Sequence, residues 1–172
     1  MGHQPDGDFV EYISERTPWL RRVAFLLCQD RHEADDLAQT AVTKLYSRWP
    51  RVRAMDGRDG YLRTVLVNTY LNERRTPWHR RVSLEQRPIE LSVPDVDLAA
   101  GVDLRAALSS IPPRQRAAIV LRYYCDLTIE QTAHELGCSP GNVKSQTSRG
   151  LDALRRILDV RPTPIPEGTG TP

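Results

Sequence analysis

The chain has 172 residues, 24 basic against 22 acidic, for a formal net charge of +2. At 40% hydrophobic and 27% charged it has the composition of a globular protein of one domain or two small ones, which excludes collagen-like repeats, gross disorder and a large enzyme barrel. Near neutrality argues at first sight against a strongly basic nucleic-acid binder, but a net figure says nothing about where the charges sit.

All the basic residues except Lys44 and Lys144 are arginine. The guanidinium fork suits phosphate and guanine, although a GC-rich genome enriches arginine equally well. No run approaches the roughly 18 to 20 apolar residues of a membrane span, and the start lacks a basic segment followed by an apolar one. No membrane is expected, and the cytoplasm is. Cys28, Cys125 and Cys138 form an odd, widely spaced set without a CxxC, so neither a disulfide framework nor a zinc ribbon is indicated, and no metal or other cofactor is expected.

Apolar spacing is helical nearly throughout, which predicts an all-α fold. Thr17-Pro18 reads as an N-cap followed by proline at the first helical position, opening a helix with Leu20, Val23, Ala24 and Leu27 on one stripe. A second helix begins near Asp30, carries Ala34, Leu37, Ala38, Ala41, Val42, Leu45 and Trp49 at three- and four-residue spacing, and stops at Pro50. A basic loop follows, broken by Gly57 and Gly60. The next helix is predicted from Tyr61 to Arg75, with Leu62, Val65 and Leu66 facing the core and Thr64, Asn68, Asn72 and Arg75 on a polar face.

From residue 81 to 100 the pattern dissolves into acidic, proline-bearing sequence and reads as a flexible linker between modules at 1–80 and 101–160. Extended, it reaches about 60 Å at about 3.3 Å per residue, the length of about 18 base pairs. The second module opens with Leu104 and Leu108 at helical spacing, breaks at Pro112-Pro113, and continues as a helix from Arg114 to Tyr124. Thr128-Ile-Glu-Gln131 matches a capping box. Gly137-Cys-Ser-Pro140 supplies a glycine helix end, a serine cap and a proline start, and the last helix is expected to bury Val143, Leu151, Leu154 and Leu158. The tail, 161–172, is expected to be disordered.

Three constellations carry chemistry. The segment from Thr128 to Leu158 has the helix-turn-helix pattern, whose second helix enters the major groove by its N-terminal part. With Val143 and Leu151 buried, Lys144, Ser145, Ser148 and Arg149 share its outer side, where they can reach phosphates and base edges. A structural helix hairpin with a solvated face is the plain alternative. A second basic surface lies between Tyr61 and Arg81, where Arg63, Arg74, Arg75, Arg80 and Arg81 face one acid, Glu73, with Trp78 and His79 interleaved. Such residues track phosphates and stack on unpaired bases, Asn68 and Asn72 can bond base edges, and the loop containing Arg53 and Arg58 can follow a displaced strand. The opposite sign gathers at Asp30, Glu33, Asp35 and Asp36, where acids suit a helix N-terminus; the other reading, Asp35 and Asp36 as metal-binding carboxylates of a prenyl-transfer type site, lacks a third acid, since Gln39 and Thr40 follow. No Ser/His/Asp set, phosphate loop or HExxH is present, so catalysis is not expected.

The order of these parts resembles a family. Asp30-Arg-His-Glu-Ala followed by Asp35-Asp36-Leu37-Ala38-Gln39, then Tyr61-Leu-Arg-Thr-Val-Leu-Val-Asn68 with trailing arginines, an acidic linker, Leu108-Ser-Ser-Ile-Pro-Pro-Arg-Gln-Arg and the helix-turn-helix are similar to a group IV, extracytoplasmic-function sigma factor of bacterial RNA polymerase. The actinobacterial SigE-like subgroup is the nearest likeness, over about residues 9–158. The resemblance implies two helical modules, like sigma regions 2 and 4. It implies that Asp35, Asp36, Leu37 and Gln39 dock on the clamp helices of the polymerase largest subunit, and that the second module meets the flap of the second-largest. Arg53, Arg58, Arg63, Asn68, Asn72, Arg74 and Arg75 would hold the melted strand of the −10 element, and Lys144, Ser145, Ser148 and Arg149 the −35 duplex. Thr40 stands where the family usually has a second acid. The resemblance also admits an anti-sigma factor as partner. A stand-alone helix-turn-helix regulator, or a protein that sequesters polymerase without touching DNA, are the alternatives.

Overall fold

The structure, a computed structural model, describes residues 5–75 and 98–159. The first module is α1 (Pro5–Cys28), α2 (Arg31–Val52) and α3 (Arg58–Arg75). The second is α4 (Leu98–Ser110), α5 (Pro113–Ile119), which runs into a π-helical turn at Val120–Tyr124, then α6 (Ile129–Leu136) and α7 (Pro140–Asp159). The described residues are thus all-α, as the apolar spacing predicts. Most of the predicted linker, the tail, and Trp78, His79, Arg80 and Arg81 lie outside them.

Two prolines behave differently from expectation. Pro18 lies inside α1, and Thr17 is no cap: its hydroxyl donates back to the Ile13 carbonyl at 2.7 Å. The first half of α1 is held by long-range packing, since Phe9 and Tyr12 are buried with their rings 5.2 and 5.1 Å from that of Trp49. The proline removes one backbone donor, but it and Ser14 are both exposed, so the carbonyl that loses its partner lies toward water. Pro50 likewise sits within α2, which continues until Val52 is buried. α3 starts three residues before the predicted Tyr61, taking Gly60 into its first turn.

Other ends follow local chemistry. Asp30 caps α2 by accepting from the Glu33 amide at 3.0 Å. Thr128 and Gln131 form the predicted box, the threonine hydroxyl accepting from the Gln131 amide and the Gln131 side chain from the Thr128 amide. Gly137 closes α6 at φ 60°, the left-handed region glycine enters without a Cβ clash. Ser139 accepts from the Asn142 amide at 3.1 Å at the head of α7. α7 crosses α5 at Gly150, where an added Cβ would lie 2.6 Å from Cδ1 of Ile119. Val143 and Leu154 are buried as expected, but Leu151 is only half-buried, and Leu158 and Leu104 are exposed.

The two modules pack together. Ala117, Val120, Leu121, Leu127, Ala133, Leu136 and Val143 of the second join Leu20, Leu27, Leu37, Leu66, Tyr70 and their neighbours in one buried apolar cluster. α3 lies against α6, and α1 against the π-helical turn. Three arginines cross the boundary. Arg63 pairs with Glu135, Arg116 donates to the Leu27 carbonyl at 2.6 Å, and Arg105 donates to the Gln29 carbonyl at 3.1 and 2.7 Å. Leu27 lies in the last turn of α1 and Gln29 directly follows it, so the second module's arginines supply donors to carbonyls that the helix end leaves without one.

Candidate nucleic-acid and polymerase interfaces

The helix-turn-helix is built from α6 and α7. Thr128, Gly137 and Ser139 fix the ends of the two helices, and Val143 anchors α7 with no exposed surface. That leaves Lys144, Ser148 and Arg149 exposed on the first turns of α7, with Ser145 half-buried beside them. Next to this face is a concavity of about 300 Å³ lined by Arg122, Tyr123, Lys144, Thr147, Ser148 and Arg155. Arg122, Tyr123 and Arg155 were not singled out in the sequence. Tyr123, 62% exposed, is carried outward by the π-helical turn, a feature that no local motif announces.

In the first module the predicted strand-binding set divides. Asn68, Asn72 and Arg75 are exposed at four- and three-residue spacing on one face of α3. Arg63 and Arg74 turn inward instead. Arg74 pairs with Glu33 at 2.5 Å, and its guanidinium lies 5.4 Å from the Tyr70 ring. Arg63 donates from Nε to both oxygens of Glu135 at 2.8 and 2.9 Å and from Nη2 to Oε1 at 2.6 Å. Burial opposes the Arg63 charge, yet the carboxylate outweighs it and raises the pKa of the guanidinium. The loop residues stand apart from α3's polar face: Arg53 lies 3.4 Å from Asp8, and Arg58 lies over the Tyr12 ring at 5.5 Å. Both line a second concavity, of about 340 Å³, with Glu11, Glu15, Arg16 and Trp49. At its side the Tyr12 hydroxyl donates to Asp59 at 2.8 Å, and burial together with that acceptor raises the tyrosine's pKa.

The acidic patch sits on the early part of α2. Asp35, Asp36 and Gln39 are exposed, and Arg21 approaches Asp35 at 3.4 Å in an exposed pair of little energetic weight. Leu37 is 1% exposed and belongs to the core, so it seats the helix and offers a partner no surface. Among the described residues no group of three His, Cys, Asp or Glu side chains is placed to hold a metal ion, and no helix is long and apolar enough to cross a membrane.

Residues 13–80 match the family described as Sigma-70 region 2, and residues 101–154 match Sigma-70, region 4. The RNA polymerase sigma-E factor of Streptomyces avermitilis is 36% identical over 168 residues, covering 94% of this chain and 90% of that one. The chain belongs to the sigma-70 family. It is a sigma factor of the extracytoplasmic-function kind, a DNA-binding protein of transcription initiation that recognises promoters. The sigma-E factor of Streptomyces coelicolor is likewise 36% identical, over 90% of this chain. Among solved structures, the sigma factor RpoE of Bartonella quintana, crystallised with the anti-sigma factor NepR, superposes over 90% of this chain and 99% of its own with TM-score 0.71 at 26% identity. CnrH, solved with the cytosolic domain of CnrY, shares the fold at TM-score 0.61 and 17% identity.

Proposed function

We propose that this sigma factor joins core RNA polymerase through Asp35, Asp36 and Gln39, reads the −35 duplex with Lys144, Ser145, Ser148 and Arg149, and holds the melted −10 strand with the first module. On this reading Asn68, Asn72 and Arg75 meet the strand from α3, Arg53 and Arg58 from the preceding loop, and Arg63 and Arg74 after rearrangement. The domains follow as 1–80, 81–100, 101–160 and 161–172, and the site of action is the cytoplasm. Its work is selective binding, with no bond made or broken by the chain itself. Negative side chains on α2 suit a basic partner surface, which steers association and fixes register. Capturing unpaired bases offsets an unstacking cost of a few kcal/mol. Because the Bartonella relative was solved with an anti-sigma factor, a partner of that class is proposed here as well.

The observation that carries this reading is the presence of two separate exposed polar faces, Asn68-Asn72-Arg75 on α3 and Lys144-Ser148-Arg149 on α7, in a chain with sigma regions 2 and 4. The decisive experiment is run-off transcription from a pool of genomic promoters with core polymerase plus the purified chain. Initiation at a defined subset supports the assignment, and transcripts no different from those of core polymerase alone refute it.

A further inference from the structure

The concavity between α1 and the loop that precedes α3 is rimmed by charges of both signs, most of them already matched. Asp8 faces Arg53 at 3.4 Å, Glu15 faces Arg16 at 3.2 Å, and Arg16 also binds Asp59 at 3.0 Å. Other groups of the wall are left over. Glu11 is exposed and has no ion-pair partner among the described residues. Arg58 lies over the Tyr12 ring at 5.5 Å, which holds its guanidinium against the aromatic face, and no carboxylate of the described residues pairs with it. Trp49, 2% exposed, forms part of the same wall, and its indole Nε1 is buried without an acceptor. A buried N–H left unpaired costs about 1 to 3 kcal/mol, so a ligand that brings it an acceptor recovers that cost.

The unmatched set is thus a carboxylate, a guanidinium fork and an indole donor. A phosphate does not suit it, because Asp8, Glu11 and Glu15 repel an anion. A nucleobase does. Guanine alone presents two adjacent donors, N1–H and the N2 amine, to a carboxylate, and two adjacent acceptors, O6 and N7, to an arginine fork. Its N1–H is free only when the base is unpaired. The space of about 340 Å³ takes one base. Between Arg58 and Asn68, α3 rises about 15 Å at about 1.5 Å per residue, the stacked length of about four nucleotides at about 3.4 Å. One strand can therefore run from Asn68 to this pocket.

We propose that this concavity takes one unpaired guanine of the melted strand, with Glu11 accepting from N1–H and the N2 amine and Arg58 donating to O6 and N7. The assignment rests on the reading above that Arg53 and Arg58 meet the displaced strand. It adds a choice of base, which phosphate contacts cannot make.

Forked DNA built on a promoter from the run-off experiment, with its non-template single strand randomised, is bound to holoenzyme made of core polymerase and the full chain, and the captured strands are sequenced. Guanine is expected to be enriched on the order of tenfold at one position. Glu11→Ala, an exposed exchange to a good helix former, is expected to abolish that enrichment and no other. Deoxyinosine at the same position lacks the N2 amine; it should bind the parent severalfold more weakly than deoxyguanosine, and the Glu11→Ala chain equally well. Strand capture without a guanine preference that depends on Glu11 overturns the pocket and leaves the strand-binding reading standing. Failure to capture the strand at all overturns both. A free guanine nucleotide shares the chemistry, so guanosine 5′-monophosphate is dialysed against the full chain without DNA. Half-saturation only above about 1 mM is expected, and tighter binding overturns the assignment to the strand.

Discussion

Arg116 of α5 donates from Nη1 to the carbonyl oxygen of Leu27, across 2.6 Å and 89 positions of sequence. Its Nη2 donates to the carbonyls of Ser109 and Ile111 at 3.0 Å each, so one buried side chain ties the end of α1 to the turn between α4 and α5. Arg116→Ala is expected to lower stability by about 2 to 4 kcal/mol, because three carbonyls lose a charged donor at once. Urea denaturation checks this, and a loss below about 1 kcal/mol would contradict it. Arg116→Met recovers part of the loss by filling the volume without a buried charge.

Thr128→Ala removes one half of the capping box. A loss of about 1 kcal/mol is expected, with the helix-turn-helix still formed, since Gly137 and Ser139 act independently at the other end. Thermal unfolding should fall by a few degrees, while circular dichroism at low temperature stays unchanged.

Gly150 distinguishes propensity from packing. In Gly150→Ala the new methyl meets Cδ1, the far end of the buried Ile119 side chain, and the gain in helix propensity, up to about 1 kcal/mol, offsets the shift of that side chain. Stability within about 1 kcal/mol of the parent is expected. Gly150→Leu forces α7 off α5 and is expected to cost about 2 to 3 kcal/mol by chemical denaturation.

Burial pushes the Cys28 thiol up to about 12, against the opposing pull of Arg74. A raised thiol pKa favours the folded state while the unfolded thiol remains protonated, so that contribution is intact below about pH 9 and declines between about pH 9 and 12. Tyr70 and Tyr12, also raised, act in the same direction. Denaturation should show stability unchanged by this group from about pH 7 to about pH 9 and falling on the order of 1 kcal/mol per unit from about pH 9 to about pH 10.5, and Cys28→Ala should flatten that fall. An unaltered slope in that variant would remove Cys28 as its source.

The two exposed faces should separate experimentally. Lys144→Ala with Arg149→Ala weakens binding to a −35 duplex and lowers its salt dependence by about two counterions, leaving core polymerase capture intact. Asn68→Ala with Asn72→Ala spares the duplex and weakens forked DNA carrying an open −10 strand. Asp35→Ala with Asp36→Ala reduces capture of core polymerase instead. Pull-down and anisotropy on the same preparations check all three, and a loss of duplex binding in the asparagine variant would merge faces that are here assigned apart.

What local chemistry dictates could be read in advance. Thr128 with Gln131, Gly137, Ser139 and Asp30 each act over three or four residues, and all are found at helix ends as their side chains demand. Pro18 and Pro50 could not be read so, because the force carrying α1 and α2 past them is the packing of Phe9 and Tyr12 on Trp49, more than 35 positions away. Arg63 and Asn68 are polar residues of one stretch, yet they face different sides of α3. The spacing of Arg63, four and seven from the buried Val67 and Tyr70, was a signal that it faces inward, but nothing local names Glu135 as its partner. The acidic run on α2 divides in the same way, Asp30 capping, Glu33 pairing with Arg74, and Asp35 and Asp36 remaining outside.

The sequence distance from Leu27 to Arg116 also sets an order of events in synthesis. Chains grow from the N-terminus at about 5 to 20 residues per second. The end of α1 therefore leaves the ribosome roughly 4 to 18 seconds before the arginine that completes it can be placed. Only after Arg75 has emerged, a little past the middle of that interval, can α1 to α3 assemble, with Glu33 able to pair with Arg74 inside the same three helices while Glu135, the partner of Arg63, is still to come. The nascent protein thus passes through a stage in which its first module is open by default, and the closed arrangement is acquired only when the last third of the chain arrives.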